Sequence, residues 1–311
     1  MLQSGFLTDD DGLKKLVIFG VGLIGGSLAL SLKRRLPSLH VTGVGRNGES
    51  LKAALDLRVI NEMAISPATA MQNADMVVIA APVAQTPAIL KLIAPHIESN
   101  TVITDVGSTK SDIIDYAAAI LGDQFPQFVP GHPIAGAEKS GVAAARADLF
   151  DGKNIVLTPS DATSPAATEQ VRDMWLNTNA KVCEMSASHH DHIFAAVSHL
   201  PHLLAFALVS NLVSRPDAEE LFGFAAGGFR DFSRIAGSSP EMWRDISLAN
   251  RNALLAEIDS YQATLQQMRA LLEAKDGKGL QTMFEQASEA RNGWAESQAT
   301  NLQAKKQDAD A

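Results

Sequence analysis

The sequence holds a single cysteine, Cys183, among 311 residues. No disulfide can form within the chain, which fits a reducing cytoplasm, and Cys183 itself is expected to be a small buried side chain. Positive charge is scarce too: 26 Lys and Arg stand against 35 Asp and Glu, a net −9, and no basic block occurs. That balance argues against nucleic acid or an anionic membrane as partner and leaves small molecules. The start, MLQSGFLTDDDGLKK, is acidic where a secretory signal is basic, and no apolar run precedes Leu16, so a cytoplasmic protein is expected. No clean apolar stretch reaches the roughly 20 residues that a membrane span needs. The longest, Ile193 to Val213, is broken by His199, Pro201 and His202 and is read as a buried helix. Neither H-E-x-x-H nor a cysteine cluster is present, so no metal site is expected, although five histidines crowd SHHDHIFAAVSHLPH.

With 46% hydrophobic and 20% charged residues, the composition is that of an ordinary globular protein, and the length suits two domains of roughly 150 residues. From Leu16 to about residue 160 the apolar runs LVIFG, HVTGVG, MVVIAAP, TVITDVG, FVPGHP and NIVLTP alternate with helix-like segments such as Leu23 to Arg35 and Ser111 to Leu121. Apolar runs without polar alternation are strands buried on both faces, so the pattern predicts a parallel sheet covered by helices. A last unit, helical over 166–177 and followed by KVCEM, closes an α/β, Rossmann-type domain at residue 186. From 187 to 311 the strand signals stop. Helical patterns take over at roughly 188–213, 217–224, 240–273 and 277–299, with AAGGF as a loop and a polar end read as a disordered tail. Ile193 to Val213 is apolar nearly all round, more than one layer of helices covers, which predicts a homodimer through this all-α C-terminal domain.

The first apolar run opens into LVIFGVGLIGGSLALSL, with Gly20, Gly22 and Gly25 in the order G-x-G-x-x-G between a strand and a helix. Gly20 allows the tight turn, Gly22 lets the backbone approach a pyrophosphate at the helix N-terminus, and Gly25 lets helix pack on strand. With Leu23 and Ile24 they form the expected dinucleotide seat. An NAD enzyme carries Asp or Glu about 20 residues on, accepting from the ribose 2′-hydroxyl. Here that position is Gly45, followed by Arg46. The missing carboxylate and the added guanidinium tip the expectation to NADP; the alternative is a solvated Arg46 and a pocket open to NAD.

Residues just past the C-terminal ends of such strands line the crevice. Three loops qualify: VVIAAPV with Pro82, beside the expected nicotinamide ribose; DVGSTKSD with Asp105, Ser108 and Lys110; and PGHPIAG with His132. Pro133 biases His132 to an extended backbone and the nearby glycines keep bulk off the ring. Its imidazole is a candidate proton acceptor near neutral pH, the alternative being a surface-loop histidine. His199 and His202 lie three apart on one helix face, with Pro201 expected to kink the helix. Substrate contact, or helix capping by Ser188, is favoured over metal there. FRDFSRIAGSSPEMWRD gathers Arg230, Asp231, Arg234, Trp243 and Arg244, either a carboxylate clamp or a surface ion-pair network.

GVGLIGGS, DVGSTKSDI, GHPIAGAEKSG, SHLPH and GGFRDFSRIAGSSPEMWRDI, in this order, resemble the prephenate/arogenate dehydrogenase family of tyrosine biosynthesis over residues 16 to about 295. The resemblance implies a Rossmann domain followed by a helical dimerisation domain. It implies oxidative decarboxylation of prephenate to 4-hydroxyphenylpyruvate, or of arogenate to tyrosine, with NAD or NADP. His132 then draws the proton from the ring C4 hydroxyl as hydride leaves C4, and Ser108 orients both. His202 and Arg234 match substrate-binding positions, the arginine on a carboxylate, and Trp243 and Gly227 match positions lining that pocket. Glu138, with Arg230 and Asp231, matches a polar network at the entrance across the dimer. Ala137 departs from relatives that carry threonine there. No chorismate mutase segment is expected before the glycine loop and no amino-acid-sensing module after residue 300, so inhibition by tyrosine would act at the active site. The related hydroxyacid and imine reductases would need a lysine in the first long C-terminal helix, and Ser188 to Val213 has none.

Overall fold

The computed structural model describes residues 12–64, 66–137 and 139–309, with side chains to residue 297. β1 (Lys15–Phe19), α1 (Leu23–Arg35), β2 (His40–Val44), α2 (Gly48–Asp56), β3 (Glu62–Met63), α3 (Pro67–Met71), β4 (Met76–Ile79), α4 (Thr86–Ile93), β5 (Val102–Asp105), α5 (Ser111–Leu121) and β6 (Phe128–Val129) come first. The six strands form one sheet in the order β3-β2-β1-β4-β5-β6, parallel throughout, with Phe19 between Val44 and Ile79. The strand order reverses between β1 and β4, which opens a crevice beyond their C-terminal ends. Apolar layers cover both faces, as the uninterrupted runs require. Leu16, Ile18, Leu28 and Leu32 lie in one layer, and Val17, Ile79, Leu90, Ile113 and Phe128 in the other.

The continuous sheet expected through NIVLTP stops at Pro130. A proline has no N–H to extend the ladder, and its carbonyl accepts instead from Thr158 N–H at 2.9 Å. The chain thereby switches to a second sheet, where β7 (Gly131–Pro133) pairs antiparallel with β8 (Asn154–Leu157). α6 (Pro165–Leu176) then leads to β9 (Lys181–Glu184), parallel to β8. His132 thus sits in a short strand opposite Val156, not in a loop. Cys183, expected to be buried, is exposed: β9 is the edge of this small sheet and its Val182 takes the inward position.

Helices follow: α7 (Ala187–Phe194), α8 (Leu200–Val213), α9 (Ala218–Gly223), α10 (Gly227–Ser233), α11 (Pro240–Ala249), α12 (Arg251–Glu273) and α13 (Gly277–Ala309). Ser186 rather than Ser188 caps α7, its Oγ accepting from His189 N–H at 3.3 Å. AAGGF is only half loop, since α10 begins at Gly227. Between α7 and α8 the helix widens into a π turn over Ala195–His199, with Leu200 N–H reaching back to the Ala195 carbonyl. Pro201 accounts for it: without an N–H, and with a ring that would strike the carbonyl four residues back, it leaves the wider turn as the way to keep the helix continuous. Ala187–Val213 has the length and apolar composition of a membrane span. The burial expected of it is not met within one chain, because in α8 only Leu200 and Ala205 are buried.

The chain divides into two compact units at Leu254. The second holds the rest of α12 and α13, joined by a turn in which Lys275 has φ of 53° and Asp276 Oδ1 accepts from Gly279 N–H at 2.9 Å. Of the end QAKKQDADA, read as a disordered tail, residues 303–309 continue α13 and the last two lie outside the described residues; Ala, Gln and Lys favour helix, and no glycine or proline follows Gly293.

Candidate active site

At the crevice, Gly20 has φ of +98°, and a Cβ there would meet the Ala80 carbonyl oxygen at 2.6 Å. A Cβ on Gly25 would run into the Gly20 carbonyl, with Ile18 Cγ2 at 2.9 Å. A Cβ on Gly22 would meet nothing within 4 Å. Gly22 is the N-cap of α1, which has no side-chain cap and no acidic residue in its first turn. Its uncapped N–H groups and the positive end of the helix dipole suit a pyrophosphate, so the loop fits a dinucleotide. Leu23 and Ile24 are half-buried against the core beneath. Gly45 and Arg46, just past β2, are exposed, as is Pro82 past β4.

Beside the crevice, Asp105 ends β5 and is wholly buried. Its carboxylate accepts from Gly107 N–H at 2.8 Å, Lys110 Nζ at 2.5 Å and Gly131 N–H at 3.1 Å. Lys110, equally buried, also donates to the Gly131 carbonyl at 2.7 Å. A buried ion pair is tolerated only when such a set of partners offsets its desolvation. What this one secures is the position of Gly131, and through it His132.

His132 Nδ1 lies 2.8 Å from His190 Nε2, and His190 Nδ1 lies 2.9 Å from Asp191 Oδ1. The Phe194 ring packs against both imidazoles, its centroid 4.9 Å from His132 and 4.5 Å from His190. Asp191 also accepts from Lys110 N–H at 2.9 Å and Ser111 N–H at 2.8 Å, capping α5 from α7. Burial holds His132 well below the ordinary histidine range, with His190, Lys110 and His199 adding to the effect. Burial also lowers His190, against the opposing hydrogen bond to Asp191. For Asp191, burial alone would raise the carboxyl, but hydrogen bonds from His190, Ser111 and Lys110 outweigh it and keep the group below its usual range. Near neutral pH, then, the two imidazoles are neutral and the carboxylate is ionised. His190 stands among the crowded histidines of SHHDHIF, but neither it nor Asp191 is among the expected site residues. Adjacent helical residues face apart, and only their proximity to His132 in the fold marks them. Ser108 is half-buried in the loop above Lys110; the ring hydrogen bond of His132 found among the described residues goes to His190.

The His202 ring stacks on Trp243 at 3.7 Å between centroids and 20° between planes, and its Nδ1–H donates to the Ser198 carbonyl at 2.9 Å inside the π turn. Trp243 is buried with Ile246 and Val83, against Phe206, which sets the stacked pair at the exit of β4. Burial lowers His202, and the nearby charge of Arg234 lowers it further. Gly227, Arg230, Asp231 and Arg234 are all exposed, and Glu138 lies outside the described residues. Arg244 takes the surface-network alternative, pairing with Asp245 at 2.6 Å and Glu241 at 3.8 Å. His199 Nδ1 is 3.1 Å from Asn250 Nδ2, which donates to the Asp191 carbonyl at 2.8 Å. Burial, more than any neighbouring charge, pushes His199 down to about 4. No cluster of His, Cys, Asp and Glu suited to a metal occurs among the described residues. The parts can seat a dinucleotide, take up one proton and hold an anionic ring.

Family profiles match most of the chain: "Prephenate dehydrogenase, nucleotide-binding domain" over residues 28–184 and "Prephenate dehydrogenase, dimerization domain" over 186–286. The chain is 41% identical over 280 residues to prephenate dehydrogenase of Bacillus subtilis, covering 89% of this chain and 75% of that protein. It is 33% identical to cyclohexadienyl dehydrogenase of Zymomonas mobilis, covering 89% and 95%. The solved structure of A. aeolicus prephenate dehydrogenase in complex with hydroxyphenyl propionate and NAD+ is similar at a TM-score of 0.85 and 36% identity, over 90% of this chain and 98% of that one. Synechocystis arogenate dehydrogenase is similar at 0.76 and 28%, over 90% and 99%. A nucleotide-binding domain followed by a helical dimerisation domain, matched at this level across most of its length, places the chain in the prephenate dehydrogenase family.

Proposed function

We propose that the chain oxidatively decarboxylates prephenate to 4-hydroxyphenylpyruvate in tyrosine biosynthesis, with His132 as the base. The observation that carries this reading is a half-buried His132 anchored through Gly131 to the end of β5 and through its Nδ1 to His190, next to the glycine-loop crevice. The turn from Gly20 to Gly25, with Leu23 and Ile24, seats the pyrophosphate, and Pro82 flanks the nicotinamide ribose. Nicotinamide, when bound, supplies the hydride acceptor. His132 accepts the C4 hydroxyl proton, C4 becomes a carbonyl carbon as it gives up hydride, and loss of the ring carboxylate as CO2 leaves its electron pair in the ring as a phenolate, which takes up a proton to become the phenol. Arg234 holds a substrate carboxylate, with His202 beside it and Trp243 and Gly227 lining the ring pocket. Ser108 orients the hydroxyl, and Glu138, Arg230 and Asp231 guard the entrance. The nucleotide-binding domain extends to residue 186 and the substrate and dimerisation domain begins at 187.

Two finer readings belong with this one. Gly45 in place of a carboxylate, followed by an exposed Arg46, favours NADP+ over the NAD+ of the A. aeolicus complex. A homodimer accounts for the apolar surface around α8, where Val197 is 67%, Val213 61% and Phe224 83% exposed. The test is cofactor reduction with prephenate and with arogenate, each offered NAD+ and NADP+. No turnover of either substrate by folded protein sinks the activity, and equal efficiency with the two cofactors sinks the role of Arg46. Sedimentation as a monomer at micromolar concentration removes the dimer.

A further inference from the structure

We propose that His190 and Asp191 are positioning residues: Asp191 sets the tautomer of His190, His190 sets that of His132, and Nε2 of His132 is thereby the atom that takes the proton. The proposal rests on the reading of His132 as the base and says which of its nitrogens acts and why.

An ionised carboxylate only accepts, so the 2.9 Å contact to Asp191 Oδ1 puts the hydrogen on His190 Nδ1. A neutral imidazole carries one N–H, so His190 Nε2 presents a lone pair. The 2.8 Å contact then needs the hydrogen on His132 Nδ1, and His132 is left with its lone pair on Nε2. Among the described residues no protein group bonds that nitrogen. When Nε2 takes up the substrate proton, the new positive charge is stabilised through Nδ1–H to His190 and on to Asp191, with no second proton moved.

Asp191 is itself fixed. Its two oxygens hold the first turn of α5 through Lys110 and Ser111 N–H, and its backbone carbonyl accepts from Asn250. Phe194, one turn on from His190, packs against both rings. Asp105 and Lys110 fix Gly131 on the other side. Both ends of the relay are anchored, which holds its 2.8 and 2.9 Å links in line.

The test uses full-length protein labelled with 15N-histidine, in which two-bond proton–nitrogen correlations tell the tautomers apart. The expected wild-type spectrum has His132 protonated at Nδ1. His190→Phe removes the acceptor, and kcat should fall by about 100-fold with KM and cofactor affinity within about twofold. His190→Gln keeps an oxygen that accepts from Nδ1–H and should recover most of that loss. Asp191→Asn is the weaker test, because an amide oxygen at the Oδ1 position still accepts from His190 and from Lys110 N–H and only the bond from Ser111 N–H to Oδ2 is lost, which loosens the cap of α5 and leaves the relay in place. A wild-type spectrum with the proton on Nε2 overturns the proposal. So does a His190→Phe enzyme within about threefold of wild-type kcat while His132→Asn is inactive. If His132→Asn is itself active, it is the base assignment that fails.

Discussion

Strands β1 and β4 and helix α8 are all strongly apolar, yet they end up in different surroundings. Leu16, Val17, Ile18, Val77 and Val78 are wholly buried, while of the 14 residues of α8 only Leu200 and Ala205 are. The strands lie between helical layers that the same chain supplies. α8 has apolar side chains on every side and neighbours on only some. The nucleotide-binding region is thus finished by its own chain, and the helical region is not. The candidate active site straddles this division. The glycine loop, Ser108, Lys110 and His132 stand on the finished side; His190, Asp191, His202, Arg234 and Trp243 stand on the other. His132 is placed by both, through Gly131 from β5 and through His190 from α7.

Substitutions on the two sides should fail in different ways. The largest effect is expected on the finished side: His132→Asn should lower kcat by about 1,000-fold and leave cofactor affinity, measured by fluorescence titration, where it was. On the other side, Val197→Glu would place a charge in the surface assigned to a second copy, and self-association should weaken by about 100-fold or more in sedimentation runs. A dimer indifferent to this change would mean that α8 is covered by something else. Next comes Arg234→Ala, expected to raise KM for prephenate by roughly 10–100-fold with a smaller change in kcat, the pattern of lost substrate binding. A fall in kcat alone would move Arg234 from holding the substrate to acting in the transition state.

Acid should find the helical side first. His199, in the π turn, titrates at about 4 in the folded protein against 6.5 for the free group. Above 6.5 neither state binds the proton and stability is unaffected. As pH falls below 6.5 the unfolded chain takes up a proton that the folded chain refuses, so stability declines until the folded value is reached. The loss between pH 6.5 and about 5 is on the order of 2 kcal/mol. In His199→Gln this part of the decline should vanish from denaturation curves collected across that range. His132 and His190, whose folded values are also lowered, contribute their own decline in the variant, and a His199→Gln curve as steep as that of the parent would take His199 out of the account.

What could be read from sequence divides by how local the cause is. The glycine loop and the limits Leu23–Arg35 and Ser111–Leu121 were legible because spacing and flanking residues determine them. His132 drew notice through Pro133 and its glycines, which are its chain neighbours. The break at Pro130 was not legible, since it depends on Thr158 capturing a carbonyl 28 residues earlier in the chain. Nor was the exposure of Cys183, which follows from β9 being an edge. His190 and Asp191 read as two of several polar residues in SHHDHIF, and only the packing of α7 against α5 and β7 gives them partners. The apolar character of α8 was plain, but burial was the wrong inference for a single chain, because composition states what must be covered and not which molecule covers it.

The smallest expected effect bears most directly on the finished side. A methyl group on Gly22 meets no atom of the protein, and Gly22 has a negative φ of −98°, so Gly22→Ala should fold as well as the parent and melt within a degree or two of it. Gly22 is the N-cap of α1, whose uncapped N–H groups are where a pyrophosphate would rest. Cofactor should therefore bind about 10-fold more weakly, a cost of about 1.4 kcal/mol, read by titration calorimetry with NAD+ and NADP+ in turn. Gly25→Ala is the internal contrast, because its methyl strikes the Gly20 carbonyl and should lower stability before it touches the cofactor. If Gly22→Ala loses stability and keeps its affinity, the open space at the start of α1 belongs to the fold and the dinucleotide is seated elsewhere.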